Sequence, residues 1–384
     1  MLSVPSLLVW IADVCLAGAA FGCIYLAGTC FLVLKFARRA DYKLGSAPGV
    51  TILKPLHGPE PHLFERFASF CNQDYPGPIQ LAFATHDRDD PAIEVVERLK
   101  SAFPEREITL AIDPHEHGSN RKVANLINMA SSIRHDVILV SDSDISVAPR
   151  YLSRIVAELE QPGVGAVTCL YHGLAGAGLW SRISALAINT HFIPEVIMGL
   201  SLGLAQPCFG ASLALSRQTL KRIGGFAAFS ECMADDYMIG QAVRSSGSDV
   251  IIASFTVGHV CFENNLEALI GRQLRFARTI RSIDPIGYVG SILTHPLPLA
   301  LVAALMGAQQ GALLLATLAL GCRVAVCYCV KRACGLERQP YWLIPLQDLM
   351  LFAVYTASFF GATVSWRGHR YRFASDGSLA QIEK

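Results

Sequence analysis

Long apolar stretches frame a middle region in which short β-branched runs alternate with helically spaced apolar positions. Residues 6 to 34 carry one charge, Asp13, and are long enough to span a bilayer. Lys35, Arg38, Arg39 and Lys43 follow at once, so the run reads as an anchor whose cationic end faces the cytoplasm. From Val50 the period changes. Val50–Leu53, Ile79–Ala84, Ile108–Ile112 and Val137–Val140 read as strands. Between them the spacing predicts helices from Pro61 to Cys71, after Pro91 (through Ile93, Val96 and Leu99) and over 121–132. Such alternation predicts a mostly parallel sheet with helices on both faces.

Beyond Pro149 the order loosens. Strands are predicted at Val164–Leu170, Leu213–Leu215 and Val250–Ala253, with an apolar helical region over 177–203. Glu231 to Tyr237 opens a helix, where acids suit the positive end of the dipole. Residues 265–281 place Arg272, Arg275, Arg278 and Arg281 among apolar positions, the pattern of a helix lying on a membrane surface. Three apolar runs close the chain at about 286–306, 311–329 and 343–365. Arg323, Gln347 and Asp348 sit within them and are expected to face protein interior. Three full spans would put the basic tail, Trp366 to Arg372, outside; the Pro-broken first run is therefore read as re-entrant or interfacial. The division expected is an anchor (1–40), a cytoplasmic catalytic domain (41–264), an interfacial helix (265–285) and C-terminal membrane helices with a basic tail (286–384).

Composition supports a membrane protein. Of 384 residues 52% are hydrophobic and 16% charged, against about a quarter charged in soluble domains. The net charge of +1 argues against a nucleic-acid partner bound by phosphate neutralisation. Twelve cysteines are scattered without Cys-x-x-Cys spacing, which reads as reduced, buried thiols.

The candidate chemistry gathers at element ends. Asp142 and Asp144 follow the Val137–Val140 run at i and i+2, a spacing that points two carboxylates the same way on a strand edge. Such a pair repels itself unless cations neutralise it. A divalent ion shared with substrate phosphates does this. An isolated Asp-x-Asp is better read as a solvated turn. Two further clusters, Asp87/Asp89/Asp90 and Asp235/Asp236, make a converging acidic site the better reading. Lys54, Lys122 and the Arg272/Arg275 pair are the cations available to it; arginines at i and i+3 share a helix face and can grip a pyrophosphate or a lipid headgroup.

In this order the motifs resemble those of inverting glycosyltransferases with the A-type nucleotide-sugar-binding fold, and among them the ceramide glucosyltransferase-like family. The resemblance rests on Leu53-Lys54-Pro55-Leu56-x-Gly58, Gln73-Asp74-Tyr75-Pro76, Asp87-x-Asp89-Asp90-Pro91-Ala92 and Asn120-x-Lys122-Val123-x-Asn125-Leu126. It continues through Asp142-Ser143, Ala234-Asp235-Asp236-Tyr237, Arg272-x-x-Arg275-Phe276 and Ser365-Trp366-Arg367-x-x-Arg370-Tyr371-Arg372. Met233 to Arg244, Arg275 to Arg281 and Thr294-His295-Pro296-Leu297-Pro298 are similar to a bacterial branch that glycosylates hopanoids. Phe276 stands where the family has tryptophan, and Asp144 where some ceramide enzymes have glycine.

The resemblance implies an α/β, Rossmann-like transferase with N- and C-terminal transmembrane helices in a bacterial inner membrane. It implies transfer of N-acetylglucosamine from its UDP donor to a hydroxyl of bacteriohopanetetrol, with inversion. Asp87, Asp90, Lys122 and the Lys54-Pro55-Leu56 loop would hold uridine, and Asp142 and Asp144 the ribose and Mg²⁺ or Mn²⁺. Asp236, beside Asp235, would be the general base, with Arg272, Arg275 and Phe276 at the leaving diphosphate. His259 reads as a structural histidine in preference to a third metal ligand. A ceramide or diacylglycerol glucosyltransferase and a non-enzymatic membrane scaffold remain the alternatives.

Overall fold

A computed structural model describes residues 4–361, 363–366, 369–373 and 379–382. Eight strands form one sheet: β1 (Val50–Pro55), β2 (Ile79–Thr85), β3 (Glu107–Ile112), β4 (Val137–Val140), β5 (Ile145–Ser146), β6 (Val164–Ala175), β7 (Leu213–Ser216) and β8 (Asp249–Cys261). Their spatial order is β3-β2-β1-β4-β7-β6-β8-β5. The first four pair in parallel, as the alternation of elements predicts. The remainder is mixed, because β7 runs antiparallel to both β4 and β6, and β5 antiparallel to β8.

Alternate strand positions feed opposite faces. Ile52, Leu81, Phe83 and Leu139 pack on one side against Phe67 and Phe70 of helix Leu63–Cys71, Val96 and Leu99 of Ala92–Ala102, and Tyr151 and Leu152 of Tyr151–Leu159. Leu53, Ala82, Ile138 and Val140 pack on the other against Val123 and Leu126 of Arg121–Asn128 and Ile239 and Val243 of Asp235–Ser245. Chain order reverses between β1 and β4, so their carboxyl ends open a crevice of the kind in which such sheets bind ligands.

Two strands are longer than their apolar runs predict. β6 continues to Ala175 and β8 to Cys261, paired in parallel through Gly173↔His259 and beyond. The interspersed Tyr171, His172, Thr256 and Gly258 hide this from a hydrophobicity pattern. Gly173 is required there: a Cβ would come within 2.5 Å of the Ala185 carbonyl, and Asn189 bonds both its N–H and its C=O, at 2.8 and 3.0 Å.

Among the described residues three helical stretches are long and apolar enough to cross a membrane: Leu7–Phe36, Leu179–Ser201 and Gln309–Cys334. The second differs from the others, since 72% of its most apolar window is buried inside the protein, against 22% for the first. It consists of helices Leu179–Ala187 and Ile193–Ser201 joined through the π-helical turn Ile188–Phe192. The Pro-broken run, Pro285–Thr294 with Pro296–Leu305, bends by 70°. The last apolar run does not continue as a helix to residue 365. Helix Ile344–Ser358 ends, Gly361 turns with φ 98°, and the β-branched Thr363 begins a strand. That strand, β9 (Thr363–Trp366), pairs antiparallel with β10 (His369–Phe373), which pairs with β11 (Leu379–Ile382). Arg367 lies outside the described residues, as do the side chains of Trp366, Arg370, Tyr371 and Arg372.

Candidate active site

The floor of the crevice is the β1–β4 junction. Ser141 N–H donates to the Leu53 carbonyl at 3.1 Å, and Lys54 is fully buried beneath the acidic turn. Its ammonium donates to Ser141 Oγ (3.0 Å) and the Asp142 carbonyl (2.8 Å) and lies 3.6 Å from the Phe70 ring centre. Burial holds its pKa well below the ordinary lysine value although Asp142 and Asp144 oppose this. Lys54 therefore shapes the turn from below. Pro55 and Leu56, also buried, extend β1 toward Asn125, whose amide donates to the Leu56 carbonyl at 3.2 Å.

The two aspartates after β4 occupy a turn, not the strand edge, so strand alternation does not orient them. Each has its own nitrogen partner. Asp142 Oδ1 pairs with Lys122 Nζ at 2.8 Å, and Asp144 Oδ1 stands 3.3 Å from His259 Nδ1. Lys122 also reaches Asp235 at 3.6 Å. Burial disfavours its charge, but Asp142, Asp235 and Asp236 outweigh burial and raise its pKa. Burial by itself would raise Asp144; His259, Arg272 and Arg66 hold it below the usual carboxylate range. Arg272 contacts His259 Nε2 and Glu263 Oε1. A guanidinium only donates, so this contact selects the imidazole tautomer with its proton on Nδ1, toward Asp144. Both His259 ring nitrogens are thereby engaged by protein groups.

Asp235 and Asp236 open the Asp235–Ser245 helix and differ sharply. Asp235 is buried, accepting from Asn120 Nδ2 at 3.2 Å. Asp236 is half-buried, accepting from Gly210 N–H (2.6 Å) and Tyr237 N–H (2.8 Å). Burial first, then the Asp235 charge, pushes its pKa up to about 6, while Lys122 and the two N–H groups restrain the rise.

The other predicted residues are distributed around this centre. Arg272 and Arg275 flank the Phe276 ring, at 5.5 and 5.1 Å, on helix Leu266–Ile283. Thr279 of the same helix touches Met233 Sδ at 3.8 Å, which seats the helix beside the Asp235/Asp236 turn. Asp87 is exposed at the end of β2. Asp90 is buried, and its carboxylate accepts from Ala92 N–H (2.9 Å), Gly58 N–H (3.0 Å) and Thr85 Oγ1 (3.0 Å), bracing the start of the Ala92–Ala102 helix and tying down the loop after β1.

Among the described residues no three His, Cys, Asp or Glu side chains converge into a metal cage. Asp144 Oδ1 is nevertheless buried without a well-formed hydrogen bond, and Asp142 keeps 36% of its side chain exposed. Two carboxylates in this state fit a divalent ion that completes its coordination with substrate phosphates.

Residues 14–379 match the family described as glycosyl transferase family 21. The chain belongs to that family. It is 26% identical to ceramide glucosyltransferase 1 of Caenorhabditis elegans over 224 residues, 58% of this chain and 47% of the relative. It is 29% identical to a ceramide glucosyltransferase of Gibberella zeae over 177 residues, 41% and 34% of the two chains. An N-acetylglucosaminyltransferase of Rhizobium leguminosarum bv. viciae is 28% identical over 127 residues, 33% and 29%. The chain thus spans about half or less of the length of these curated relatives. The mannosyltransferase PcManGT of Pyrobaculum calidifontis, solved with GDP-Man and Mn²⁺, shares the fold at a TM-score of 0.56 and 20% identity, covering 92% of this chain and 99% of that one.

Several supporting residues carry no signal in the family motifs. Buried Arg66 donates to the Ser143 carbonyl at 2.9 Å and pairs with Glu60 at 2.7 Å, while Ser143 Oγ donates to Glu60 at 2.6 Å. Glu60 and Arg66 thus clamp the Asp-Ser-Asp turn from 77 or more residues upstream. Asn120 lies within a quoted motif, but its double duty, capping the Arg121–Asn128 helix and holding Asp235, appears only in three dimensions.

Proposed function

We propose that this protein transfers a sugar from a UDP donor to a hydroxyl of a membrane lipid, with inversion at the anomeric carbon. The observation that carries the reading is Asp236: half-buried, with a pKa near 6, in the crevice where Lys122 joins Asp142 to Asp235. A carboxylate so placed accepts the proton of an attacking hydroxyl effectively near neutral pH. Family membership and the apolar helices support the transferase and the membrane setting.

Within this reading Asp87 and Lys122 face the nucleotide, while Lys54 and Asp90 hold the loops that form its seat. Asp142 and Asp144 would hold Mg²⁺ or Mn²⁺, which when bound neutralises the leaving diphosphate as a Lewis acid. Arg272 and Arg275 supply fixed positive charge at the same oxygens. His259 keeps Asp144 ionised and oriented.

For the finer specificity we favour N-acetylglucosamine and a hopanoid tetrol, on the likeness of Met233 to Arg244 and Arg275 to Arg281 to the hopanoid branch. The ceramide glucosyltransferase relatives favour a second reading, glucose onto ceramide. Competition decides between them. The protein in nanodiscs receives UDP-N-acetylglucosamine and UDP-glucose with equimolar bacteriohopanetetrol, ceramide and diacylglycerol, with and without excess chelator. We expect N-acetylglucosaminyl-bacteriohopanetetrol, absent with chelator and with Asp144→Asn. Product on ceramide alone refutes the hopanoid assignment, and full activity in chelator refutes the metal.

A further inference from the structure

A cavity of about 450 Å³ lies away from the acidic crevice, where the three long apolar helices described above meet the sheet. That volume is within the about 300–1,000 Å³ range of small-molecule sites. Val33 and Phe36 of the first long helix, with Ile193 and Ile197, make its apolar wall. Ser254, Thr256 and Gly258 of β8 form the opposite side. The next residue, His259, turns the other way, toward Asp144 and Tyr171, so the β6–β8 ribbon separates the cavity from the crevice. Ala37 and Ala333 line it at the ends of their two helices, level with the cations that follow each apolar run.

Those cations define the occupant. Arg38, Arg39 and Arg332 are exposed beside the lining residues Ala37 and Ala333. Arg39 lies 4.7 Å from the ring centre of Phe36, which lines the cavity itself. Within the cavity Arg154 is neutralised by Asp41 at 2.5 Å, so the surplus positive charge sits outside, at the helix ends. A chamber with an apolar helix wall and a cationic rim at the end of spanning helices suits an amphiphile with an acyl chain, laid along that wall, and an anionic head. We propose that one acyl chain of an anionic phospholipid occupies this cavity, its headgroup at Arg38, Arg39 and Arg332, and that occupancy supports the catalytic crevice. The connection is short. Ser146 and Gly258 line the cavity and pair with each other, and the adjacent pair is Ile145 with His259. Val260 N–H donates to the Asp144 carbonyl at 3.0 Å. A chain filling the cavity braces β5, which follows Asp144 directly, and β8, which carries His259; this second half rests on the transferase reading, whereas binding does not.

The test uses the full chain reconstituted with phosphatidylglycerol and phosphatidylcholine, then extracted in mild detergent. Native mass spectrometry should find one phosphatidylglycerol retained per chain. Ala37→Trp and Ala333→Trp, which plug the opening from exposed or half-exposed positions, should reduce retention tenfold or more. Each of Arg38→Gln, Arg39→Gln and Arg332→Gln should reduce it by about fivefold, the equivalent of about 1 kcal/mol per basic residue at an anionic surface. Wild type should turn over several-fold faster in phosphatidylglycerol than in phosphatidylcholine nanodiscs, and the tryptophan variants at the lower rate in both. Equal retention of phosphatidylcholine, retention by the plugged variants, or a bound acceptor lipid in its place overturns the site. Retention without stimulation overturns the coupling. Retention with no transfer from any UDP-sugar defeats the transferase reading and leaves the site standing.

Discussion

Asp236 and Asp90 show how far a residue's type predicts its work. Both lie in acidic motifs, yet Asp90 spends its carboxylate on three donors within the fold while Asp236 stays half-exposed at a helix start. Asp236→Asn should lower turnover by ~10²-fold or more, the scale of losing a general base, with UDP affinity retained. Loss of UDP affinity with turnover preserved at saturation would instead make Asp236 a donor ligand. Wild-type kcat should fall as pH drops through about 6, because the base works only when ionised, and the variant should lack that limb. The linkage has the opposite sign for stability. A folded pKa raised above the ordinary 3.8 means the folded state binds this proton more tightly, so protonation stabilises the fold as pH falls toward 4. At pH 7 the Asn variant should therefore melt no lower than wild type.

At the scale of elements, helix Leu266–Ile283 joins the crevice to the chain's end. Arg272 and Arg275 flank the Phe276 ring, but Arg278 donates to the carbonyls of Thr363 (2.5 Å) and Phe360 (2.9 Å), and Arg281 to that of Gly361 (3.1 Å). The arginine series read as a membrane-surface pattern is thus also an anchor for β9. Hydrogen bonds from a charged donor contribute about 1.5–3 kcal/mol each. Arg278→Ala should speed amide hydrogen exchange in Thr363–Trp366 by about tenfold or more, with exchange in β1 to β4 unchanged. Unaltered exchange in β9 would show that the arginine contacts do not hold it.

For the whole molecule, the helical part is locked by a polar cluster buried among apolar helices. Arg323 Nε pairs with Asp348 at 3.0 Å, His191 Nε2 meets the same carboxylate oxygen at 2.6 Å, and Arg323 donates to the Thr190 carbonyl at 2.9 Å. Arg323 and Asp348 are each 1% exposed. These contacts tie the π-helical turn Ile188–Phe192 to helices Gln309–Cys334 and Ile344–Ser358. Phe192 in that turn stacks on Tyr171 at 4.4 Å, and Tyr171 lies 5.3 Å from His259, so the cluster also supports the crevice. Asp348→Ala leaves Arg323 buried without its counter-ion, a loss of about 3–5 kcal/mol. Its thermal midpoint in detergent should drop sharply, and adding Arg323→Met should recover most of the loss. A midpoint within a degree of wild type would refute a structural role for the pair.

The alternation of apolar runs determined the four parallel strands, the helices between them and the long apolar helices, because each is a local pattern with its own period. Motif residues at strand ends and helix starts likewise marked Asp142, Asp144, Asp235 and Asp236 as candidates for one site. Tertiary structure decided what each of these carboxylates faces. It took Lys54 out of solvent and set Glu60 and Arg66 under the Asp-Ser-Asp turn. It extended β6 and β8 past their apolar cores, because strand pairing satisfies backbone groups whatever the side chains. It also put His191 in contact with Asp348, 157 residues further along, and Asp348 in contact with Arg323 of the preceding helix. Ion pairs between distant segments leave no periodic trace in the chain; they exist only once packing has brought the partners out of water together.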